Sequence, residues 1–230
     1  MMISVIIPTL NESSTIARTL TRTVALGFDD IIVSDGGSTD PTPQMVQACC
    51  ARVPAVRLVT APTGRARQLN EGVKASRGDV MLFLHADTEL PPTAKSVIES
   101  TLKDPRYVGG RFDVRFDHPS RWGAVISWFM NRRSRLTGIA TGDQAIFARR
   151  QIFERLGGFP DIPLMEDIEF SRRLKRQGPT AALTDRVTTS FRRWEKNGPL
   201  RTILLMWTLR FLYWLGVSPT RLNHWYRAVR

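Results

Sequence analysis

Cysteine is nearly absent from this 230-residue chain, and its two copies, Cys49 and Cys50, are neighbours. Adjacent cysteines cannot make a framework of long-range disulfides, and no cysteine spacing suits a metal. They fall in an expected helix before Arg52, as buried or partly buried thiols. Also missing are a Gly-x-Gly-x-x-Gly dinucleotide fingerprint, a Walker A loop, a His-Glu-x-x-His zinc motif and a Ser nucleophile elbow. Internal repeats and low-complexity linkers are lacking too. The chain opens Met1-Met2-Ile3-Ser4-Val5-Ile6-Ile7-Pro8 with no basic n-region. That predicts an opening strand rather than a signal peptide, with a cytoplasmic location as the default.

What is present is an ordinary globular composition, 42% apolar and 23% charged, on a chain long enough for one sizeable core. The net charge of +12 is unevenly divided. Residues 1–120 hold 13 Lys/Arg and 13 Asp/Glu, whereas residues 121–230 hold 20 and 8. A basic half points to a polyanion: nucleic acid, anionic lipid headgroups or a phosphorylated substrate. No nucleic-acid module is recognisable, and the aromatics cluster in apolar runs, so nucleic acid is not expected as a partner.

Apolar runs alternate with helical patterns along the first hundred residues. A strand over 3–7, stopped by Pro8, leads to a helix capped by Ser13 or Ser14 and running to Leu26. A strand over 31–34 ends in Asp35-Gly36-Gly37-Ser38-Thr39-Asp40, where two glycines permit close backbone approach to a ligand. Ser38, Thr39 or Asp40 caps the next helix, which runs to about Arg52 with Pro41 in its first turn. An edge strand over 56–59 and a helix over 64–76 follow, with Arg65 in that helix's first turn. The apolar run 80–84 then enters His85-Ala86-Asp87-Thr88-Glu89, before a helix from Pro91 to Leu102. This order predicts an α/β fold, a single Rossmann-like, mixed but mostly parallel sheet flanked by helices. Carboxylates at the carboxyl end of a buried parallel strand sit where such sheets bind ligands.

In the second half, residues 109–116 alternate as a strand with one solvated face. Residues 122–130 form an apolar stretch with two tryptophans, and Gly142-Asp143-Gln144 turns into another strand. Helices over 149–156 and from Leu164 to about Gln177 precede a short strand over 187–190. The expected organisation is one domain over 1–195, with halves 1–105 and 106–195, and a hydrophobic, basic-flanked helical appendage over 196–230. Residues 202–220 carry a single charge, Arg210. A mid-helix arginine costs roughly 2.5–3.5 kcal/mol on insertion scales, which disfavours a span. With Trp207, Arg210 and Trp214 expected on one face, a helix lying in the plane of a membrane surface is preferred over a buried or dimer-forming one.

Four acidic positions stand near strand ends or helix starts: Asp35, Asp87, Glu89 and the pair Glu166-Asp167. Magnesium prefers one or two carboxylates plus phosphate oxygens, a role that suits Asp87 with Glu89 or a water as helper. His85 makes the site softer and favours manganese, although a lone histidine is more often structural. Glu166-Asp167 offers a general base if it faces the same crevice. Its bland alternative is negative charge at a helix N-terminus.

At these residues the chain resembles the family-2 glycosyltransferases with the GT-A fold. Ser4 to Glu12 is similar to that family's opening, and Asp35 to Asp40 to its nucleotide-binding turn. Residues 85–87 resemble its Asp-x-Asp metal motif with His85 in first place, and Glu166-Asp167 resembles its general-base motif. Ser190 to Trp194 resembles the Gln-x-x-Arg-Trp motif of processive members, with Ser190 replacing glutamine. The likeness is greatest to small bacterial members, some described as selenodomain-associated.

The resemblance implies a nucleotide-diphosphate sugar donor, UDP- or GDP-linked, and a divalent metal, Mg²⁺ or Mn²⁺. It places Asp35 on the base and Pro8, Thr9 and Glu12 around the nucleoside. Arg65 assists there or at the phosphates, and Asp87 holds ribose or the metal, with Glu89 and His85 as further metal candidates. Asp143 borders donor sugar and acceptor, and Arg193 and Trp194, with Arg192, hold diphosphate or acceptor. Asp167, with Glu166 beside it, deprotonates the acceptor hydroxyl in an inverting hexosyl transfer. The basic, tryptophan-bearing segments 122–135 and 196–230 suggest a lipid or lipid-linked acceptor and peripheral contact with anionic membrane at the inner face of the cell. Two alternatives stay open: a nucleotidyltransferase that makes nucleotide sugars, and a non-catalytic nucleotide- or lipid-binding member.

Overall fold

The computed structural model describes residues 1–229, with all their side chains except those of Arg193 and residues 227–229. Its centre is a parallel group of strands: β1 (Ile3–Thr9), β2 (Asp30–Asp35), β3 (Val56–Thr60) and β4 (Val80–Phe83). Each is followed by a helix, the crossover that parallel neighbours need. These helices are α1 (Ile16–Ala25), α2 (Thr42–Cys50), α3 (Arg65–Ala75) and, after a two-residue β5 (Thr88–Glu89), α4 (Ala94–Leu102). The second half adds β6 (Gly109–Phe116), α5 (Arg121–Thr137), a 3-10 turn over Gly142–Gln144, β7 (Phe147–Arg149), α6 (Arg150–Arg155) and α7 (Glu166–Leu174). Then come β8 (Thr180–Thr189), α8 (Arg192–Asn197), α9 (Pro199–Trp214) and α10 (Pro219–Val229).

All eight strands join one sheet in the order β3-β2-β1-β4-β7-β6-β8-β5. Antiparallel β7 sits between β4 and β6, β8 runs parallel to β6, and β5 pairs antiparallel with β8. Apolar strands covered on both faces explain the unbroken runs. Alternate side chains feed opposite cores. Ile3, Val5 and Ile7, with Ile31, Val33, Val80 and Leu82, pack against Ile16, Leu20, Val46 and Ile98 of α1, α2 and α4. Ile6, Ile32, Met81 and Phe83 pack instead with Leu69, Val73, Ile152 and Phe170 of α3, α6 and α7. Burying each such side chain contributes about 1.5–3 kcal/mol. Phe83 meets Phe153, Phe159 and Phe170 at centroid distances of 5.4, 4.8 and 6.0 Å. That cluster fixes α7 beneath the end of β4.

Several local expectations are corrected. Pro8 does not end β1, which continues to Thr9 beside Asp35. The residue before α1 is Thr15, without a side-chain cap; the backbone N–H groups of Thr15 and Ile16 both donate to the Glu12 carbonyl. Strand β6 has no solvated face until Arg115, because Arg111 and Asp113 pair with one another and Asp113 also takes Arg135 of α5. Strand β8 is ten residues long, its first residues held by β6.

The appendage is two helices rather than one, broken at Leu215-Gly216, where Gly216 has φ +89. Among the described residues no helix is long and apolar enough to cross a membrane. Leu209 and Leu222 close over Met165, with Ile168 and Tyr213 packed alongside. The exposed stripe of α9 is Leu200, Leu204, Trp207, Phe211 and Trp214, at alternating intervals of four and three. Arg210 does not share the outermost line of Trp207 and Trp214; it is partly buried, and its Nε has no hydrogen-bond partner.

Candidate active site

The crevice opens at the carboxyl ends of β1, β2 and β4. Asp35 closes β2, and both its oxygens are occupied. Oδ1 accepts from Thr9 Oγ1 and Ser38 Oγ at 3.0 and 2.6 Å, and Oδ2 from the N–H groups of Gly37 and Ser38 at 3.0 and 2.8 Å. The carboxylate therefore builds the Asp-Gly-Gly-Ser turn. Asn11, at φ 57, ties the neighbouring loop to it by accepting from the Thr39 N–H at 2.8 Å. Gln68 completes this floor, donating to the carbonyls of Thr9 and Ser34 at 2.6 and 3.2 Å. A Cβ on Gly36 would lie 2.8 Å from the Gln68 amide carbon, so the glycine is required for that approach. Gln68 escaped the sequence reading; its one signal is a polar residue on the stripe with Leu69, Gly72 and Val73. Pro8 is half-buried and Thr9 buried at the end of β1.

Beyond this floor stand Glu12 and Asp87, bracketed by one guanidinium. Arg192 at the start of α8 lies 3.4 Å from Asp87 Oδ2, 3.6 Å from Glu12 Oε2 and 3.2 Å from Ser14 Oγ. The three metal candidates are not brought together. Glu89 belongs to β5 and pairs with Arg18 and Arg22 of α1 at 3.0 and 3.2 Å. His85 turns to Asp143, its Nδ1 3.2 Å from Oδ1. Among the described residues no three His, Cys, Asp or Glu side chains converge as a metal cage. Asp87 alone still fits a magnesium-like ion that completes its shell with a ligand's phosphate oxygens.

The 3-10 turn joins this region to α7. The backbone N–H of Gly142 donates to Asp167 Oδ2 at 2.8 Å, and that of Ile168 to Oδ1 at 2.7 Å. A Cβ on Gly142 would meet His85 Nε2 at 2.4 Å, so the Nε2 end of the imidazole presses on the turn. Glu166, almost fully buried, pairs with Arg65 Nη1 at 3.2 Å, which brings Arg65 to the start of α7. Burial, then the adjacent Glu166 charge, raises the Asp167 carboxyl to about 6, against the opposing pull of Gly142 and Arg65. Burial opposes the Arg65 charge, but Glu166, Asp167 and Asp143 push that guanidinium above its ordinary value. Arg65, His85, Gly142, Glu166 and Asp167 line one recess with Leu69, Phe83, Ile146 and Phe159. A desolvated carboxylate at its mouth, titrating near neutrality, is equipped for proton abstraction.

Backbone strain gathers at the same crevice. The positive-φ residues other than glycine among those described are Asn11, Ala145 and Met165. They stand in the floor loop, just after the 3-10 turn and just before α7. Trp194 stacks in an aromatic cluster, 6.3 Å from Phe191 and 5.9 Å from Phe116. The Arg193 side chain lies outside the described residues.

Comparison with known proteins places this geometry. The chain is 30% identical over 205 residues to a probable glycosyltransferase, YdaM, of Bacillus subtilis, covering 76% of this chain and 47% of that one. It is 31% identical over 159 residues to the undecaprenyl-phosphate 4-deoxy-4-formamido-L-arabinose transferase of Pseudomonas paraeruginosa, covering 64% and 46%. It thus spans about half the length of these curated relatives. Among solved structures, the mannosyltransferase PcManGT of Pyrobaculum calidifontis, in complex with GDP-Man and Mn²⁺, superposes with a TM-score of 0.65 at 20% identity, over 99% and 73% of the two chains. Staphylococcus aureus TarS 1-349 with UDP-GlcNAc gives 0.63 at 17%, over 83% and 58%. These likenesses confirm the expected GT-A fold, a mixed sheet flanked by helices. The family model for glycosyl transferase family 2 matches residues 4–157, and the chain belongs to that family.

Proposed function

We propose that the protein transfers a glycosyl unit from a nucleotide-diphosphate sugar to a lipid or lipid-linked acceptor, by direct displacement with inversion at the anomeric carbon. The observation that carries this reading is Asp167, desolvated, oriented by the Gly142 N–H and titrating at about 6 beside the recess. The donor nucleoside rests on the floor built by Thr9, Asp35 and Gln68, with Glu12 and Pro8 at its border. Its diphosphate lies toward Asp87 and Arg192, and Arg192 releases the two carboxylates to meet it. Asp87 is the residue that would hold a divalent ion, which would supply charge neutralisation for the departing diphosphate. Asp167 then accepts the proton of the incoming hydroxyl, while Arg65 and Glu166 hold the charge balance around it.

The ligands in PcManGT and TarS support a nucleotide-sugar donor. The polyprenyl-phosphate name of the Pseudomonas relative supports a lipid-type acceptor. The exposed stripe of α9, flanked by basic residues, supports peripheral contact with an anionic membrane. Screening a panel of UDP- and GDP-sugars tests the central claim. Asp167→Ala is expected to lower turnover about 100-fold or more while nucleotide binding is kept, in line with the loss of a general base. Asp87→Ala is expected to weaken metal-dependent donor binding. Unchanged turnover in Asp167→Ala would refute the assigned base.

A further inference from the structure

Arg133, in the last turns of α5, differs from the arginines around it. Arg135 is fully engaged with Asp113 Oδ2 at 2.7 Å and with the Ala182 and Leu183 carbonyls at 2.9 and 3.2 Å. Arg111 pairs with Asp113 and reaches the Asn131 carbonyl. Arg133 instead has Nε and Nη2 both sealed from solvent and both without a hydrogen-bond partner. Those two nitrogens form the side-on edge that grips a carboxylate or phosphate bidentately. The residue is seated by its neighbour Ser134, whose Oγ accepts from Gln144 of the 3-10 turn at 3.0 Å. Burial pushes the guanidinium down, and the charges of Asp167 and Asp143 pull it back. Asp167 is held by backbone N–H groups, and Asp143 lies against His85.

A buried, unpaired donor edge in a native protein calls for a partner from outside the chain, a water, an ion or a ligand. Arg133 adjoins Ser134, which Gln144 ties to the same 3-10 turn whose Gly142 N–H holds Asp167, and the donor diphosphate is served separately by Arg192 and Asp87. Elsewhere α5 exposes Trp122, Val125, Trp128, Phe129 and Leu136. An anionic head beside the base and an apolar surface on the same helix describe one amphiphile. Building on the transfer reading above, we propose that Arg133 binds the phosphate of a lipid monophosphate acceptor and that α5 is the acceptor's platform. A phosphate oxygen then forms the new bond to the anomeric carbon as the bond to the nucleoside diphosphate breaks, its electron pair leaving on the diphosphate. A phosphate arriving as the monoanion passes its proton to Asp167; one arriving as the dianion needs no base.

The test titrates the full chain with farnesyl phosphate, farnesol and inorganic phosphate, and separately with UDP and GDP, using wild type, Arg133→Met and Arg133→Lys. Wild type is expected to bind farnesyl phosphate at least about 10-fold tighter than farnesol or inorganic phosphate. Arg133→Met should bind farnesyl phosphate and farnesol alike, and Arg133→Lys should keep part of the preference, having charge without the fork. Because the free guanidinium edge is unpaired, Arg133→Met should melt no lower than wild type, whereas a structural arginine would lower the midpoint. A preserved preference in Arg133→Met, no preference in wild type, or equal affinity for inorganic phosphate would overturn the proposal. Loss of nucleotide binding by wild type would sink the transfer reading instead, without touching the phosphate preference.

Discussion

Gly142 serves two residues at once: its N–H orients Asp167, and its missing side chain admits His85. Gly142 is not among the positive-φ glycines, so alanine suits the backbone and the whole penalty comes from collision with the imidazole. Gly142→Ala is expected to cost about 1–3 kcal/mol in stability, the usual range for overpacking. It should also lower turnover by more than that loss explains, because Asp167 shifts with the turn. Denaturant melts and steady-state assays check both. A second consequence belongs to Asp167 itself. Its folded-state value of about 6 stands above the ordinary 3.8, so only above about pH 6 is the base ready. With an alcohol acceptor, turnover should fall with unit slope below that point. The same shift makes its ionisation a cost to the fold. The stabilisation from this group is complete below the ordinary carboxylate range and is lost as pH rises through about 6.

At the scale of elements, β1, β2 and β4 were legible because an apolar run stopped by a polar turn has few other uses. The edge position of β3 followed from its shortness and mixed polarity. What escaped was set by distant partners. Glu89 reads as one more carboxylate at a strand end until β8 captures its backbone and two α1 arginines capture its side chain. The first half of β8 carries only the short run Ala181-Ala182-Leu183, and pairing with β6 makes it a strand. Arg133 and Gln68 look like ordinary helix residues, since burial and orphaned nitrogens arise only on assembly. The 202–220 run reads as one helix because Gly216 is a weak signal inside so much apolar sequence. The exposed stripe on α9 carries its own prediction. Trp207→Glu with Phe211→Glu should reduce cosedimentation with phosphatidylglycerol vesicles by about 10-fold or more, leaving nucleotide binding unchanged.

For the whole molecule, charge is unevenly distributed. The neutral first half builds the proposed donor floor, while the second half carries the entire positive excess. Vesicle association should therefore weaken steeply as ionic strength rises from about 0.05 to about 0.5 M, since screening shortens to a few ångströms over that range. Sedimentation at graded salt measures it; a flat response would leave apolar contact as the sole attraction.

The seating of the C-terminal helices on Met165 links two ends of the chain that share no motif. Met165 holds a left-handed conformation one residue before Glu166, and its cover is Leu209 and Leu222. Tyr213 adds a hydrogen bond to Glu169 at 3.2 Å, further along the same helix. The tail is therefore a roof beam for the start of α7 as well as the proposed surface for lipid. A force on α9, whether from a bilayer or from a purification handle fused behind it, is delivered to the peptide that aims Asp167. An enzyme ended before α9, at Gly198, would reach the assay with its floor intact and Met165 uncovered beside Asp167.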